Sequence, residues 1–482
     1  MNSSNEASMQ LIWLRSDLRV HDNPALAAAC ERGPTLAVFL VSPKQWREHD
    51  DSPNKVDFWL RNLKELSVSL KALHIPLLLR EADTWDKAPA VISALCAEHK
   101  VEAVHCNDEF GVNENRRDEA VEAALAKADI SLHRYLDQAL FKPGSVLTKG
   151  GTYFQVFGQF RKVCYERLHQ SLPALANKPQ AQKPLHIAAD KVPDHVAGFA
   201  VPSQALQALW PAGEQEAHRR LDTFVDQPIE DYKVERDLPA HPGTSQISAY
   251  LTSGVVSPRQ CLHAALNSNR GEFESGNVGA VTWIGELIWR EFYRHIMAGY
   301  PRVSMHRPFR LEYEALPWRD APAELQAWKE GRTGIPIVDA AMRQLVETGW
   351  MHNRLRMISA MFLSKNLLID WREGERFFMQ HLIDGDLCSN NGGWQWSAST
   401  GTDSVPYFRI FNPVSQSQRF DEQGVFLKQW LPKLAPFDRK QVHAPPAGDL
   451  LERSGYPTPI VDLKEGRARA LAAFKNLPRK VK

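Results

Sequence analysis

The chain has little cysteine, and none of it is spaced for pairing. Six residues in 482, at Cys30, Cys96, Cys106, Cys164, Cys261 and Cys388, include no C-x-x-C. That excludes a disulfide-stapled scaffold and a zinc ribbon, and it points to reduced thiols in a cytosolic setting. Net charge is also missing: 58 Lys plus Arg stand against 57 Asp plus Glu, leaving +1 with His neutral. A wholesale polycation is excluded, so any nucleic-acid contact must come from a local basic patch. No stretch approaches the roughly 18 apolar residues of a membrane-spanning helix, and residues 1–10 hold no apolar leader core. Neither secretion nor a membrane partner is expected. There is no G-x-G-x-x-G at the first strand–helix turn and no G-x-x-x-x-G-K-[ST] anywhere. A nicotinamide dehydrogenase and a P-loop ATPase are thereby disfavoured. No metal site is expected.

What is present changes along the chain. Up to about residue 137, short β-branched or Leu-rich runs alternate with amphipathic segments. Strands are expected at 11–14, 35–41, 76–80, 103–107 and 131–136, with helices near 24–31, 56–73, 89–99 and 116–128. Strict alternation predicts a doubly wound, Rossmann-like parallel sheet. Residues 142–245 are rich in Pro, Ala and Gln and weakly periodic, as a connector with some helix would be. Beyond 246 strand signals nearly vanish. The expected architecture is therefore α/β plus all-α, divided as 1–137, a connector over 138–215, and a helical domain over 216–482.

Two helical segments have a polar side that does not look solvated. Around Trp283–Met297, Ile284, Ile288, Phe292 and Ile296 share one face, the expected core side. Trp283, Glu286, Trp289, Arg290 and Tyr293 gather opposite, where Lys and Glu would be ordinary. From Trp350, Met351, Leu355, Ile358 and Phe362 make an apolar stripe, and Asn353, Arg356, Met357 and Ala360 face away. That second set fits either a helix–helix contact or the presentation of an amide and a guanidinium to a polar aromatic ligand. The densest segment is 384–396, DGDLCSNNGGWQW. Such polarity predicts a loop, in which Gly392 and Gly393 allow close backbone approach and two indoles offer stacking faces.

The motifs WLRSDLRVHDNPAL, GTSQIS, ELIWREFYRH, GIPIVDAAMRQL, TGWMHNRLRM, LLIDWREGERFFMQHLIDGD, NNGGWQW and TGTDSVPYFRIFNP together resemble the DNA photolyase/cryptochrome family. The resemblance runs from the N-terminus to about residue 435 and is strongest to the bacterial class I cyclobutane pyrimidine dimer photolyases. It implies non-covalent FAD, active as the reduced anion, and light-driven splitting of pyrimidine dimers in UV-damaged DNA by a cytoplasmic monomer.

The resemblance also implies residue roles. Tyr232 and the turn Thr244, Ser245, Gln246, Ile247 and Ser248 would hold the FAD phosphates. Trp283, Arg290 and Asn353 would line the flavin or its adenine. Arg356 and Asp384 would lie beside the isoalloxazine, with Gly385 next to them, Asp386 on the flavin or ribose, and Asn390 facing flavin N5. Glu286, Trp289, Asn353, Met357 and Trp396 would meet a flipped-out dimer. Arg236, Arg354 and Arg409 would take backbone phosphates, with Arg290 also at the DNA. Trp394, Trp371 and Trp318 match the electron relay. His49, Asn113 and Glu114 match contacts to a 5,10-methenyltetrahydrofolate antenna. Ser304–Met305 departs from the Cys-Lys pair frequent in folate-using relatives, so a deazaflavin or no antenna stays open.

Two other functions within the resemblance are a cryptochrome-like photosensor and a (6-4) photolyase. The first typically adds a long C-terminal extension, whereas only a short basic tail is expected here. The second carries paired histidines, whereas HNRLRM supplies Asn353 and Met357.

Overall fold

A computed structural model of the chain describes residues 8–477. Residues 1–7, and 478–482 with the end of the expected basic tail, lie outside the described residues. The five strands are β1 (Met9–Leu14), β2 (Thr35–Val41), β3 (Leu77–Glu81), β4 (Val101–Asn107) and β5 (Ser131–Tyr135). They form one parallel sheet in the order β3-β2-β1-β4-β5, which is the doubly wound arrangement expected. The central strand β1 is buried from Leu11 to Leu14, as a parallel strand covered on both faces must be.

Helices α1 (Pro24–Arg32), α2 (Pro53–Ala72), α3 (Ala88–His99) and α4 (Val112–Ala126) lie between the strands. Their starts follow local chemistry. The Asn23 side chain accepts from the Leu26 N–H and the Ser52 side chain from the Lys55 N–H, each with proline as the next residue. The Ser-Pro cap is why α2 begins three residues before the apolar periodicity does.

The connector is more ordered than its composition suggests. Helix Phe157–Gln170 buries Phe157, Phe160, Cys164, Tyr165 and Leu168, and a further helix, α5, spans Pro228–Glu235. The helical half is built around α6 (Val278–Gly299), α7 (Asn353–Met361), α8 (Trp371–Met379) and α9 (Leu387–Ala398). On α6, Ile284, Ile288, Phe292 and Ile296 are all buried, as the periodicity requires. Helix α7 starts at Asn353, later than the pattern suggests, because His352 caps it by accepting from the Arg354 N–H. It runs on into a π-helical turn, Phe362–Asn366. Ala360, expected on the open side, is buried.

The largest departure is α9, the segment expected to be a loop. Asp386 caps it by accepting from the Ser389 N–H at 2.8 Å. Helical glycines cost about 1 kcal/mol each relative to alanine; here tertiary packing outweighs that cost. A Cβ at Gly392 would lie 2.3 Å from the Tyr293 ring, while one at Gly393 would meet nothing within 4 Å. The close approach at Gly392 is thus to α6.

Sheet and helical half share one continuous apolar cluster, from Ile12 and Phe39 through Phe58 and Tyr250 to Ile284 and Phe292. Buried charges cross the same junction. Arg259 bridges Asp22 at 3.0 Å and Asp137 at 2.7 Å, and Arg19 also pairs with Asp137. Among the described residues no helix is long and apolar enough to cross a membrane.

Candidate active site

Asp386 and its neighbours form the most strongly polarised part of the helical half. Its carboxylate accepts from Arg294 Nη2 at 2.7 Å. Burial alone would raise this carboxyl, but Arg294, then Arg290, and the bonds from Ser389 outweigh it and hold it well below the usual carboxylate range. Arg294 is buried, yet its Nε and Nη1 have no partner among the described residues. Buried donors left open in this way point to a group that binds there. Arg290 donates to the Gln138 carbonyl at 2.6 Å, and burial, then repulsion from Arg294, push its guanidinium down to about 10. Arg356 grips Asp384 with Nη2 at 2.8 and 3.0 Å from the two carboxylate oxygens, and its Nε donates to the Met351 carbonyl.

The turn before Ser248 is equally open. The backbone N–H groups of Thr244, Ser245, Gln246 and Ile247, and the hydroxyls of Thr244, Ser245 and Ser248, make no hydrogen bond among the described residues. Tyr232 and Trp283 are buried and both pack on Phe224.

Asn390 is set by a part of the site that sequence reasoning did not single out. Its Nδ2 donates to the Glu375 carbonyl at 3.0 Å, which leaves Oδ1 as the free end. The buried Glu375 side chain accepts from Asn391 Nδ2 at 2.8 Å, and Gln395 Nε2 donates to Asn391 Oδ1 at 2.8 Å. The only ion-pair partner of Glu375 among the described residues is His306, at 3.3 Å. That hydrogen bond raises the His306 pKa against the opposing effect of burial.

Glu286, Trp289, Asn353, Met357 and Trp396 all keep accessible surface. Glu286 is held by Arg236 at 2.6 Å, and that guanidinium also sits 5.3 Å from the Tyr232 ring centroid. Trp289 lies flat on Phe157, with centroids 3.6 Å apart and planes within 9°. One indole face is therefore covered, and only the other remains for a ligand. Arg354 pairs with Asp237 at 2.8 Å. Arg409 is exposed and in no ion pair among the described residues.

The three tryptophans expected to form a relay differ in depth. Trp394 and Trp371 are buried and Trp318 packs on the edge of the same apolar cluster. A Cβ at Gly374, one turn along α8 from Trp371, would lie 2.0 Å from the Trp394 ring, so the two helices meet face to face at the indole. The indole N–H groups of Trp394 and Trp318 have no acceptor among the described residues. Trp328, not singled out from sequence, stands 6.0 Å edge-on to Trp394, and its own N–H donates to the Ser359 carbonyl.

His49, Asn113 and Glu114 come together in a cleft of about 360 Å³ between the sheet domain and α9, which also reaches Ser304, Met305 and Asp386. His49 Nε2 is 3.0 Å from Asn113 Nδ2.

A family model described as "DNA photolyase" matches residues 10–180, and one described as "FAD binding domain of DNA photolyase" matches residues 283–476. The chain belongs to the DNA photolyase family. It is 45% identical to the deoxyribodipyrimidine photo-lyase of Escherichia coli strain K12, over 96% of this chain and 98% of that one. A class III photolyase from Agrobacterium tumefaciens superposes with a TM-score of 0.87 at 33% identity, covering 98% of each chain. An archaeal photolyase from Sulfolobus tokodaii with two FAD molecules gives 0.81 at 29%, covering 97% of this chain and 100% of that one. Residues of this photolyase fit FAD on their own chemistry. The open N–H run at 244–247 and the two unpartnered Arg294 donors suit an anionic group, and the Arg356–Asp384 pair offers both donors and acceptors.

Proposed function

We propose that this photolyase splits cyclobutane pyrimidine dimers in UV-damaged DNA under blue or near-ultraviolet light, acting as a cytoplasmic monomer. The observation that carries the reading is full-length similarity to deoxyribodipyrimidine photo-lyases together with an accessible Glu286, Asn353, Met357 and Trp396 around the same helices. FAD, when bound in its reduced form, would supply the light-driven electron that opens the dimer ring.

The chain supplies position and electrostatics. Thr244–Ser248, Tyr232, Arg290 and Arg294 would hold the dinucleotide, and Arg290, which also donates to the Gln138 carbonyl, keeps its second expected role at the DNA. Arg356, Asp384 and Asp386 would orient the ring system, and Asn390, whose free end is its carbonyl oxygen, would face flavin N5. The free faces of Trp289 and Trp396 bracket the flipped bases. Glu286 bonds their edges, and more strongly once they carry charge. Trp394, Trp371 and Trp318 conduct an electron inward when bound FAD is oxidised. The cleft lined by His49, Asn113 and Glu114 would take a folate-type antenna, within a division of the chain at about 137 and 215.

Illumination of the reduced holoprotein on DNA carrying either cyclobutane dimers or (6-4) products tests this. Dimers are restored and (6-4) products are not; restoration of the latter alone would reject the reading. Affinity for damaged DNA, read by a binding titration, falls steeply with salt. Three phosphate-neutralising arginines predict a log–log slope of about −2 to −3. Arg409→Ala flattens it most, because Arg236 and Arg354 already spend part of their charge on Glu286 and Asp237. A slope unchanged in that variant would remove Arg409 from the interface.

A further inference from the structure

The interdomain cleft carries a charge asymmetry that the assignments above do not use. Trp13, Trp46, Trp59 and Trp85 contribute apolar ring surface to its walls, and about 360 Å³ falls within the range of ordinary small-molecule sites. Of the Arg and Lys residues lining it, Arg15 pairs with Asp118 at 2.8 Å and Lys55 with Asp51 at 2.7 Å. Arg117 turns inward to Asp118 and Glu109, and its guanidinium lies 4.9 Å from the Trp13 ring centroid and 4.5 Å from that of Trp85. Arg116 is exposed and, among the described residues, has no carboxylate or hydrogen-bond partner.

Its position on α4 gives it a direction. Asn113 and Arg116 are one turn apart, so they share a stripe of the helix, and that stripe begins at the Asn113–His49 contact inside the cleft. The partly buried Glu114 carboxyl, raised by burial against the pull of His49, is the acceptor for a donor-rich ring edge at the inner end. On the opposite lip the one cationic side chain among the described residues is His306, and Glu375 already engages it at 3.3 Å. The Val112 N–H donates to Ser304 Oγ at 3.3 Å, and Met305 is 52% exposed. A ligand with a planar, donor-bearing head and an anionic tail therefore finds its unpaired cation, among the described residues, on the α4 side.

We propose that Arg116 reads the tail carboxylate of the cleft's ligand, so that the cleft selects a carboxylate-tailed pterin whose tail runs outward along α4. This rests on the reading of the cleft as an antenna site. It takes over, from the opposite wall, the duty that a cation at position 305 would have performed.

The test uses FAD-loaded protein titrated with 5,10-methenyltetrahydrofolate and with the same ring system lacking the glutamate, 5,10-methenyltetrahydropteroate. Binding is read from ligand fluorescence and the near-ultraviolet band. Wild type prefers the tailed compound by about twofold to fivefold, the range of an exposed guanidinium–carboxylate pair. Arg116→Ala abolishes the preference, Arg116→Glu inverts it, and Arg116→Lys restores part of it, while affinity for the tail-less compound stays level across the series. Undiminished preference in Arg116→Ala overturns the proposal while leaving the antenna reading intact. Failure of wild type to bind either compound overturns both.

Discussion

Trp318→Phe leaves oxidised FAD unreduced under light, at the level of a dark control, while the chemically prereduced variant repairs dimers as wild type does. An indole gives up an electron far more readily than a phenyl ring, so Phe keeps the packing and removes the redox step. The burial gradient makes the outermost member decisive. Trp394 and Trp371 lie in the apolar core, and Trp318 sits at its edge. A positive charge left on either inner ring is out of reach of dissolved reductants and returns to its origin. Nor can it be trapped by loss of a proton from Trp394, whose N–H has no acceptor among the described residues. Anaerobic bleaching of the flavin band in the presence of a thiol measures the first half, and dimer restoration after dithionite treatment measures the second. Photoreduction at the wild-type rate would mean that Trp328, beside Trp394, offers another way out. Loss of repair in the prereduced variant would mean that Trp318 has a structural role.

Glu286→Ala lowers repaired dimers per absorbed photon by roughly tenfold or more, with FAD content unchanged. A hydrogen bond to a charged group contributes about 1.5–3 kcal/mol, which is about 10–100-fold in the rate of the step it favours. Splitting of the dimer competes with return of the electron, so slower splitting appears directly as a lower yield. The side chain is partly exposed and, among the described residues, bonded only to Arg236, so its removal leaves no buried group unsatisfied among them. Glu286→Gln, which keeps the shape and weakens the bond, falls between the two. Parallel loss of FAD and repair in Glu286→Ala would make the residue structural.

The sheet was legible because strands buried on both faces are written as uninterrupted apolar runs, as in Thr35–Val41, where expectation and structure coincide. Helix α6 was legible because its 100° periodicity survives the functional residues on its other side. Helix α9 was not. Two glycines and a run of amides read as a loop, and the helix exists because Asp386 caps it and Tyr293 fills the space that side chains at Gly392 would have occupied. Resemblance proposed site residues on the motifs, but it gave nothing of their partners. Nothing local pairs Glu286 with Arg236, Asp386 with Arg294, or Trp289 with Phe157, since each pair joins distant segments. Arg294 had a usable signal, lying one turn beyond Arg290 on the predicted face-bearing helix.

The apolar cluster that joins the sheet to α6, with the Arg19–Asp137–Arg259–Asp22 charges across the same seam, has an optical consequence. Transfer of excitation between two pigments weakens steeply with their separation and depends on their mutual orientation. A hinge at this seam would make every absorbed photon sample a different geometry. Close-packed side chains are stiff, and buried ion pairs are costly to open one partner at a time. The spacing and angle between the cleft at His49 and the proposed flavin site at Asp384 and Asn390 are therefore fixed in the folding of the chain, before any pigment arrives.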